Sequence, residues 1–168
     1  MSLITIVDSS DNVIGSEERS IVYQKGLYHR LVRVLLFNNK GEVLLQWRSA
    51  TEDTFPNTWD QSAGGHVDAN EDYEIVAYRE LEEELGVKDV KLTLLGKFYT
   101  EGNIGEKIIK RFNTIFKADY TGDFILQEEE VEKVKWFSKE ELFKEIEIHP
   151  ENFTDGLKSI LRDYKDVI

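Results

Sequence analysis

The segment that most restricts this chain is Glu74 to Leu85, which contains neither Gly nor Pro and runs into Gly86. Such a run predicts a helix closed by a glycine C-cap, because glycine takes the left-handed conformation there without a Cβ penalty. It is also acidic: between Asp68 and Glu84 stand Asp68, Glu71, Asp72, Glu74, Glu80, Glu82, Glu83 and Glu84, against Arg79 alone. At about 100° per residue, Glu80, Glu83 and Glu84 fall within an arc of about 100°, and Leu81 and Leu85 lie on the neighbouring arc to anchor the helix. Carboxylates crowded on one face repel one another, and two of them lie near a helix C-terminus, where the dipole disfavours negative charge. Two readings stand. One is a solvated acidic face; the other is a site for a hard divalent ion such as Mg²⁺, which takes oxygen ligands of this kind. The Gly64-Gly65 pair ahead of the helix favours the second, since glycines let backbone carbonyls approach a ligand closely.

The rest of the chain supplies strands to carry that helix. Leu3 to Val7, a polar turn at Asp8 to Asn12 and Val13-Ile14 read as a hairpin. A second hairpin joins Leu31 to Phe37 with Glu42 to Trp47 through Asn38-Asn39-Lys40-Gly41, where Asn and Gly supply the positive φ of the turn. Thr51 to Gly65, with Pro56 and Asn57, reads as loop, and Val90 to Tyr99, Ile108 to Tyr120 and Val131 to Phe137 read as strands. Ser138 with Glu141 forms a capping box for a helix through about Ile146, and a last amphipathic helix enters at Thr154 with Leu157, Ile160, Leu161 and Tyr164 on its apolar side. Several strands with three interspersed helices predict a mixed α/β domain, and 168 residues suit a single domain spanning 1–168.

Charge and composition exclude whole classes of function. With 21 basic and 33 acidic residues the formal net charge is −12, which argues against duplex nucleic acid or an anionic membrane as partner. Cysteine is absent, so there is no disulfide, no thiolate metal site and no cysteine nucleophile. No secretory leader or transmembrane run is visible, and a cytoplasmic location is expected.

Gly65-His66-Val67-Asp68-Ala69-Asn70-Glu71, followed after seven residues by Arg79-Glu80-Leu81-Glu82-Glu83-Glu84-Leu85-Gly86-Val87, resembles the Nudix box, G-x5-E-x7-R-E-U-x-E-E-x-G-U with U a bulky aliphatic. Every fixed position is matched. The resemblance implies a Nudix fold, an α/β (α+β) architecture with a mixed β-sheet sandwiched between helices. It also implies a metal-dependent attack of water on the diphosphate of a small-molecule substrate, with Mg²⁺ as cofactor and Mn²⁺ as possible substitute. Glu80, Glu83, Glu84 and the carbonyl of Gly64 would hold the metal, while Gly65, Glu71, Arg79 and Gly86 would shape the box. In some members a box glutamate, here Glu83 or Glu84, serves as base. In others the base comes from a distant loop, a place that Glu128, Glu129 and Glu130 occupy here, and Glu130 is the choice among them. His66, directly after the glycines and beside the metal cluster, is a substrate-binding candidate, and Arg33, Arg48 and Lys110, with Lys107 and Arg111, are candidates to neutralise phosphate charge. Each of these cations is equally explained as a surface charge on a strand. Many family members form homodimers.

A second resemblance lies ahead of the box. His29-Arg30, Arg48 and Phe55-Pro56-Asn57-Thr58-Trp59-Asp60 are similar to isopentenyl-diphosphate isomerases, whose chemistry needs a cysteine and a glutamate and whose metal is held by histidines near His29 and His66. Gly64 stands where that cysteine would be, so the hydrolase reading is preferred. An isomerase-like protein, or a catalytically silent nucleotide-binding domain, is the alternative. A hydrogen-bonding role accounts for His29 and a structural role in the loop before Pro150 for His149; Trp47, Trp59, Phe98, Tyr99 and Trp136 could stack on a nucleobase, with core packing the preferred reading for the tryptophans.

Overall fold

The computed structural model describes residues 2–166 and 168; Met1 and Val167, the other members of the expected 1–168 domain, lie outside the described residues. The chain opens with strands β1 (Leu3–Val7) and β2 (Val13–Glu18), whose turn is tied by the Asp8 carboxylate accepting from Ser10 N at 2.8 Å and Asn12 N at 3.0 Å. A short helix, α1 (Arg19–Lys25), follows directly and ends at Gly26 with φ 64°. The central strand is β3 (His29–Phe37), joined to β4 (Val43–Arg48) by a turn in which Asn38 Oδ1 accepts from the N–H groups of Lys40 and Glu42, both at 3.0 Å. Then come β5 (Trp59–Asp60), β6 (Ala63–His66), α2 (Tyr73–Leu85), β7 (Thr93–Ile104), β8 (Lys107–Asp119), β9 (Val131–Phe137), α3 (Lys139–Ile148), a 3-10 turn at Pro150–Asn152 and α4 (Asp155–Asp163).

The sheet is mixed. β3 runs antiparallel to β6, from Leu31 opposite His66 to Val34 opposite Ala63, and parallel to β8, from His29 opposite Arg111 to Phe37 opposite Asp119. β4 turns instead to β5 and β9; the register it shares with β3 is Phe37 opposite Val43, so the two strands splay apart beyond the turn. Because side chains alternate across a strand, β3 serves two cores at once. Val32, Val34 and Leu36, with Leu44 and Phe116, pack on Val76, Ala77, Leu81 and Leu85 of α2. Leu35, with Val43, Leu45 and Ile115, packs on Leu142 of α3 and Leu157, Ile160 and Leu161 of α4. Burying each such aliphatic side chain contributes roughly 1.5–3 kcal/mol, so both helix layers are firmly seated. The result is the expected mixed sheet between helices.

Three local expectations change. Four α-helices, not three, are present among the described residues, because α1 is short and its apolar residues Val22 and Tyr23 become buried only when it packs near β8. Thr51 to Gly65, read as loop, contains β5 and β6; its glycines are held extended by pairing to β3, a tertiary effect. β7 starts later than Val90 and runs on to Ile104, where Gly105 (φ 61°) turns the chain into β8. No helix among the described residues is long and apolar enough to cross a membrane.

Candidate active site

The splay of β3 from β4 opens a cavity of about 710 Å³ between two chemically different walls. The acidic wall is α2. Asp72 caps its start by accepting from Tyr73 N at 2.8 Å, and Gly86 (φ 66°) ends it with its N–H directed to the carbonyls of Glu82 and Leu81. Between these caps, Glu80 and Glu84 face the sheet and are 9% and 4% exposed. Burial lifts both carboxyls: Glu80 is pushed up to about 7 although a hydrogen bond with Glu84 and the Arg79 charge oppose the rise, and Glu84 is raised well above its ordinary value, with the Glu80 charge adding to burial. The two lie close enough to share a proton. Gln46 Nε2 fixes Glu84, donating to its Oε2 at 2.6 Å and to the Ser62 carbonyl at 3.0 Å. Gly65 sits directly against the Glu80 carboxylate, and any side chain there would collide with it.

Arg79 organises the outer half of this wall. Its Nε and NH2 grip Glu71 at 3.0 and 2.8 Å, while NH1 meets Glu80 at 3.0 Å and Glu83 at 3.3 Å, and Asp68 lies 3.4 Å from NH2. Burial opposes its charge, but the Glu71 hydrogen bond and the surrounding carboxylates hold it cationic. Glu83 is thereby turned outward and exposed. Among the described residues no three His, Asp or Glu side chains converge in ligating geometry, and Arg79 engages both Glu80 and Glu83. Of the three glutamates before β9, Glu130 lines the cavity and Glu128 and Glu129 are exposed. Burial, then Glu52 and Glu83, raise the Glu130 carboxyl. Ser49 places it, with Ser49 N donating to the Glu130 carbonyl at 2.9 Å and Ser49 Oγ to the Glu129 carbonyl at 2.6 Å.

The opposite wall comes from the other face of β3, β6 and β8, and it is basic. Arg33, 5% exposed, donates to Asn113 Oδ1 at 2.9 Å and to Gln61 Oε1 at 2.6 Å, with Asp60 at 3.9 Å. Arg48 meets Glu52 at 2.5 Å and Asp60 at 3.5 Å and donates to the carbonyls of Thr54 and Phe55. His66 and His29 stack with ring centroids 5.7 Å apart; His66 Nε2 bonds Tyr23 Oη at 2.6 Å and His29 Nδ1 bonds the Leu27 carbonyl at 3.0 Å. Burial, and then Arg111, push His29 down to about 4 and His66 well below its ordinary value, so both rings are neutral. Each histidine therefore already has a protein partner.

Gly64, Gly65, His66, Arg79, Glu80, Glu83, Glu84, Glu130, Arg33 and Arg48 are brought to one cavity. Lys110 is not: its ammonium lies over the Tyr28 ring, 5.4 Å from the centroid, because Lys110 alternates with the cavity-lining Ile109 and Arg111 along β8. The three tryptophans also lie away from the lining; Trp47 and Trp59 meet edge to face at 5.0 Å, and Trp136 packs against the α2 core. Gln46, Gln61, Asn113 and Tyr23 were not anticipated. They are neutral residues whose roles come from partners distant in sequence, as Gln61 meets Arg33, 28 positions away, and Tyr23 meets Arg111, 88 away, for which sequence carries no local signal. At Gly64 a Cβ would stand 2.5 Å from the Val32 carbonyl oxygen and 2.9 Å from Gln61 Nε2, so this backbone has no room for a cysteine there.

Comparison with known proteins agrees with this geometry. The NUDIX domain profile matches residues 27–162. An uncharacterised Nudix hydrolase of Pseudomonas aeruginosa is 36% identical over 140 residues, covering 82% of this chain and 79% of that one. Isopentenyl-diphosphate Delta-isomerase 2 of Photorhabdus laumondii is 31% identical over 168 residues, 98% of this chain and 94% of its own. Among solved structures, DR0079 of Deinococcus radiodurans superimposes with a TM-score of 0.80 over 96% of this chain and 98% of that one, at 23% identity, a likeness of fold. The chain belongs to the Nudix family, among its hydrolases.

Proposed function

We propose that this protein is a Mg²⁺-dependent hydrolase that cleaves a diphosphate bond in a small nucleoside-diphosphate-linked substrate, with Mn²⁺ able to replace Mg²⁺. The observation that carries this reading is the buried pair Glu80 and Glu84, held proton-rich at a cavity mouth beside Glu83 and Glu130. Such a donor set fits a hard divalent ion: the oxygens are the right type, and a cation would remove the mutual repulsion that burial amplifies. A divalent ion held by Glu80, Glu83, Glu84 and the Gly64 carbonyl supplies charge neutralisation and Lewis acidity. To hold it, Glu80 and Glu84 would give up their shared proton and Glu83 would exchange its Arg79 contact for the ion, with Arg79 still gripping Glu71.

Gln46 holds Glu84 in place throughout, and Arg79 keeps Glu80 oriented. Glu130, whose burial favours the protonated form, takes the proton from the attacking water. The water oxygen forms a new bond to phosphorus, the bridging P–O bond breaks, and its electron pair leaves with the departing phosphate. Arg48 and Arg33 steady the cavity's basic side, and His66 offers a neutral polar edge beside the glycines. Lys110 has no part in this version, given its place over Tyr28. The cytoplasmic setting is the expectation drawn from the sequence, and the homodimer is carried over from the family resemblance.

A panel of nucleoside diphosphates, triphosphates, nucleotide sugars and dinucleotides, assayed with Mg²⁺ and with chelator, tests the reading. Turnover that depends on the metal and falls in Glu84→Gln supports it. A folded, Mg²⁺-binding protein that turns over nothing would reduce it to a binding domain.

A further inference from the structure

The basic wall contains two enclosed polar atoms without a partner, Arg111 Nε and His29 Nε2, and they belong to residues directly opposite each other on β8 and β3. His29 is neutral with its Nδ1–H committed to the Leu27 carbonyl, so its Nε2 presents a lone pair and no proton. The other cationic side chains lining the cavity each meet a carboxylate. Arg19 and Lys107 meet Asp53, Arg33 meets Asp60, Arg48 meets Glu52, and Arg79 meets Glu71. Arg111 also lines the cavity, yet it makes no ion pair among the described residues. What holds it is a neutral chain: its NH2 donates to Tyr23 Oη at 3.4 Å, and Tyr23 is bound to His66 Nε2 at 2.6 Å. A largely enclosed guanidinium without a counter-charge is costly, and a fold retains that cost where an anion is to be received.

The acidic wall repels an unscreened phosphate, whereas the wall around Arg111 is the part of the cavity with positive charge to spare. We propose that Arg111, positioned by Tyr23 and His66, is the seat of a terminal phosphate of the substrate, distinct from the diphosphate bridge that reacts at the acidic wall. This rests on the hydrolase reading above and sharpens it. A terminal phosphate carries more charge than one esterified at both ends and offers three free oxygens to the planar fork of an arginine. The preferred substrates are therefore open-ended diphosphates and triphosphates, and compounds capped at both ends are poor ones.

Two measurements on the full chain test this. In the first, inorganic phosphate is titrated in chelator by calorimetry and by melting temperature, for the wild type, Arg111→Met and Arg111→Lys. The wild type binds phosphate and melts higher with it. Arg111→Met melts higher than the wild type without phosphate, since an uncompensated charge is gone, and its phosphate affinity drops on the order of ten- to a hundred-fold, the equivalent of one charge-assisted contact. Arg111→Lys keeps the charge without the fork and falls between. In the second, kcat/KM with Mg²⁺ is compared for a nucleoside diphosphate and its terminal methyl ester, and the preference for the uncapped compound collapses toward unity in Arg111→Met. Wild-type protein that does not bind phosphate in chelator, or Arg111→Met binding it equally well, overturns the proposal. So does an Arg111→Met protein that melts lower and loses both substrates in equal proportion. Phosphate binding through Arg111 without turnover of any compound would sink the hydrolase reading and leave the anion site standing.

Discussion

The two walls of the cavity solve opposite electrostatic problems. On α2, like charges are buried together, so Glu80 and Glu84 hold protons that ordinary carboxyls would release. Across the cavity, cations are buried with their counter-charges already supplied, and the histidines among them refuse protons that ordinary imidazoles would accept. On the function proposed above an added cation would complete the acidic wall, whereas the basic wall is nearly complete within the chain. The difference separates two jobs that the proposed function needs: the acidic wall has charge to be neutralised, and the basic wall holds shape, with Arg111 left without an ion pair among the described residues.

The sharpest way to break this contrast is Glu84→Gln. Activity should fall at least about a hundred-fold, since glutamine keeps the shape and removes a ligand charge. In chelator the sign reverses. A carboxyl raised in the fold stabilises the protein most below its ordinary value near 4.5, and that contribution is lost as pH rises toward the folded value, about 7 for Glu80. Metal-free wild type should therefore weaken between pH 5 and 8, and Glu84→Gln should weaken less; equal pH slopes in urea unfolding would count against the buried pair.

Next in size is Arg33→Met on the basic wall. It removes the partner of Gln61, Asn113 and Asp60 at once and should cost about 3 kcal/mol by urea unfolding, as for breaking a buried pair. A neutral result would mean that Arg48 alone satisfies Asp60. His29 gives a smaller effect and the opposite pH sign to Glu84. Its depressed value, about 4, means that the unfolded chain binds the proton first, so stability is full above about 6.5 and declines as pH falls toward 4. Between pH 7 and 5 this amounts to about 2 kcal/mol, and His29→Gln should flatten that part of the profile. Smallest of all is Asp53→Asn, which cuts the exposed links to Lys107 and Arg19 and should change stability by no more than about 0.5 kcal/mol. A large loss there would show that the 51–56 loop is held far more tightly than an exposed ion pair allows.

The acidic wall was legible in the chain because one helix carries it. Spacing of three and four residues places Glu80, Glu83 and Glu84 on neighbouring positions, and Gly86 closes the helix in the left-handed conformation that the glycine implied. What spacing could not tell is that Glu80 and Glu84 are buried against the sheet while Glu83 stays exposed, with Arg79 reaching both Glu80 and Glu83. The basic wall was much less legible. Arg33 and Arg111 look like any strand charge in sequence, and Lys110 looked no different from Arg111. Their fates diverge because adjacent residues of β8 face opposite sides of the sheet.

Local sequence alone determined the box helix and its glycine C-cap, the two hairpin turns, the capping box that starts α3 and the amphipathic face of α4. All of these depend on interactions between residues a few positions apart. The tertiary structure decided the parallel pairing of β3 with β8, the extended course of Gly64-Gly65 along β3, and the pairing of Arg33 with Asn113, 80 residues away. Those choices depend on which surfaces meet when two cores close on the two faces of one strand, and no short stretch of chain contains that information.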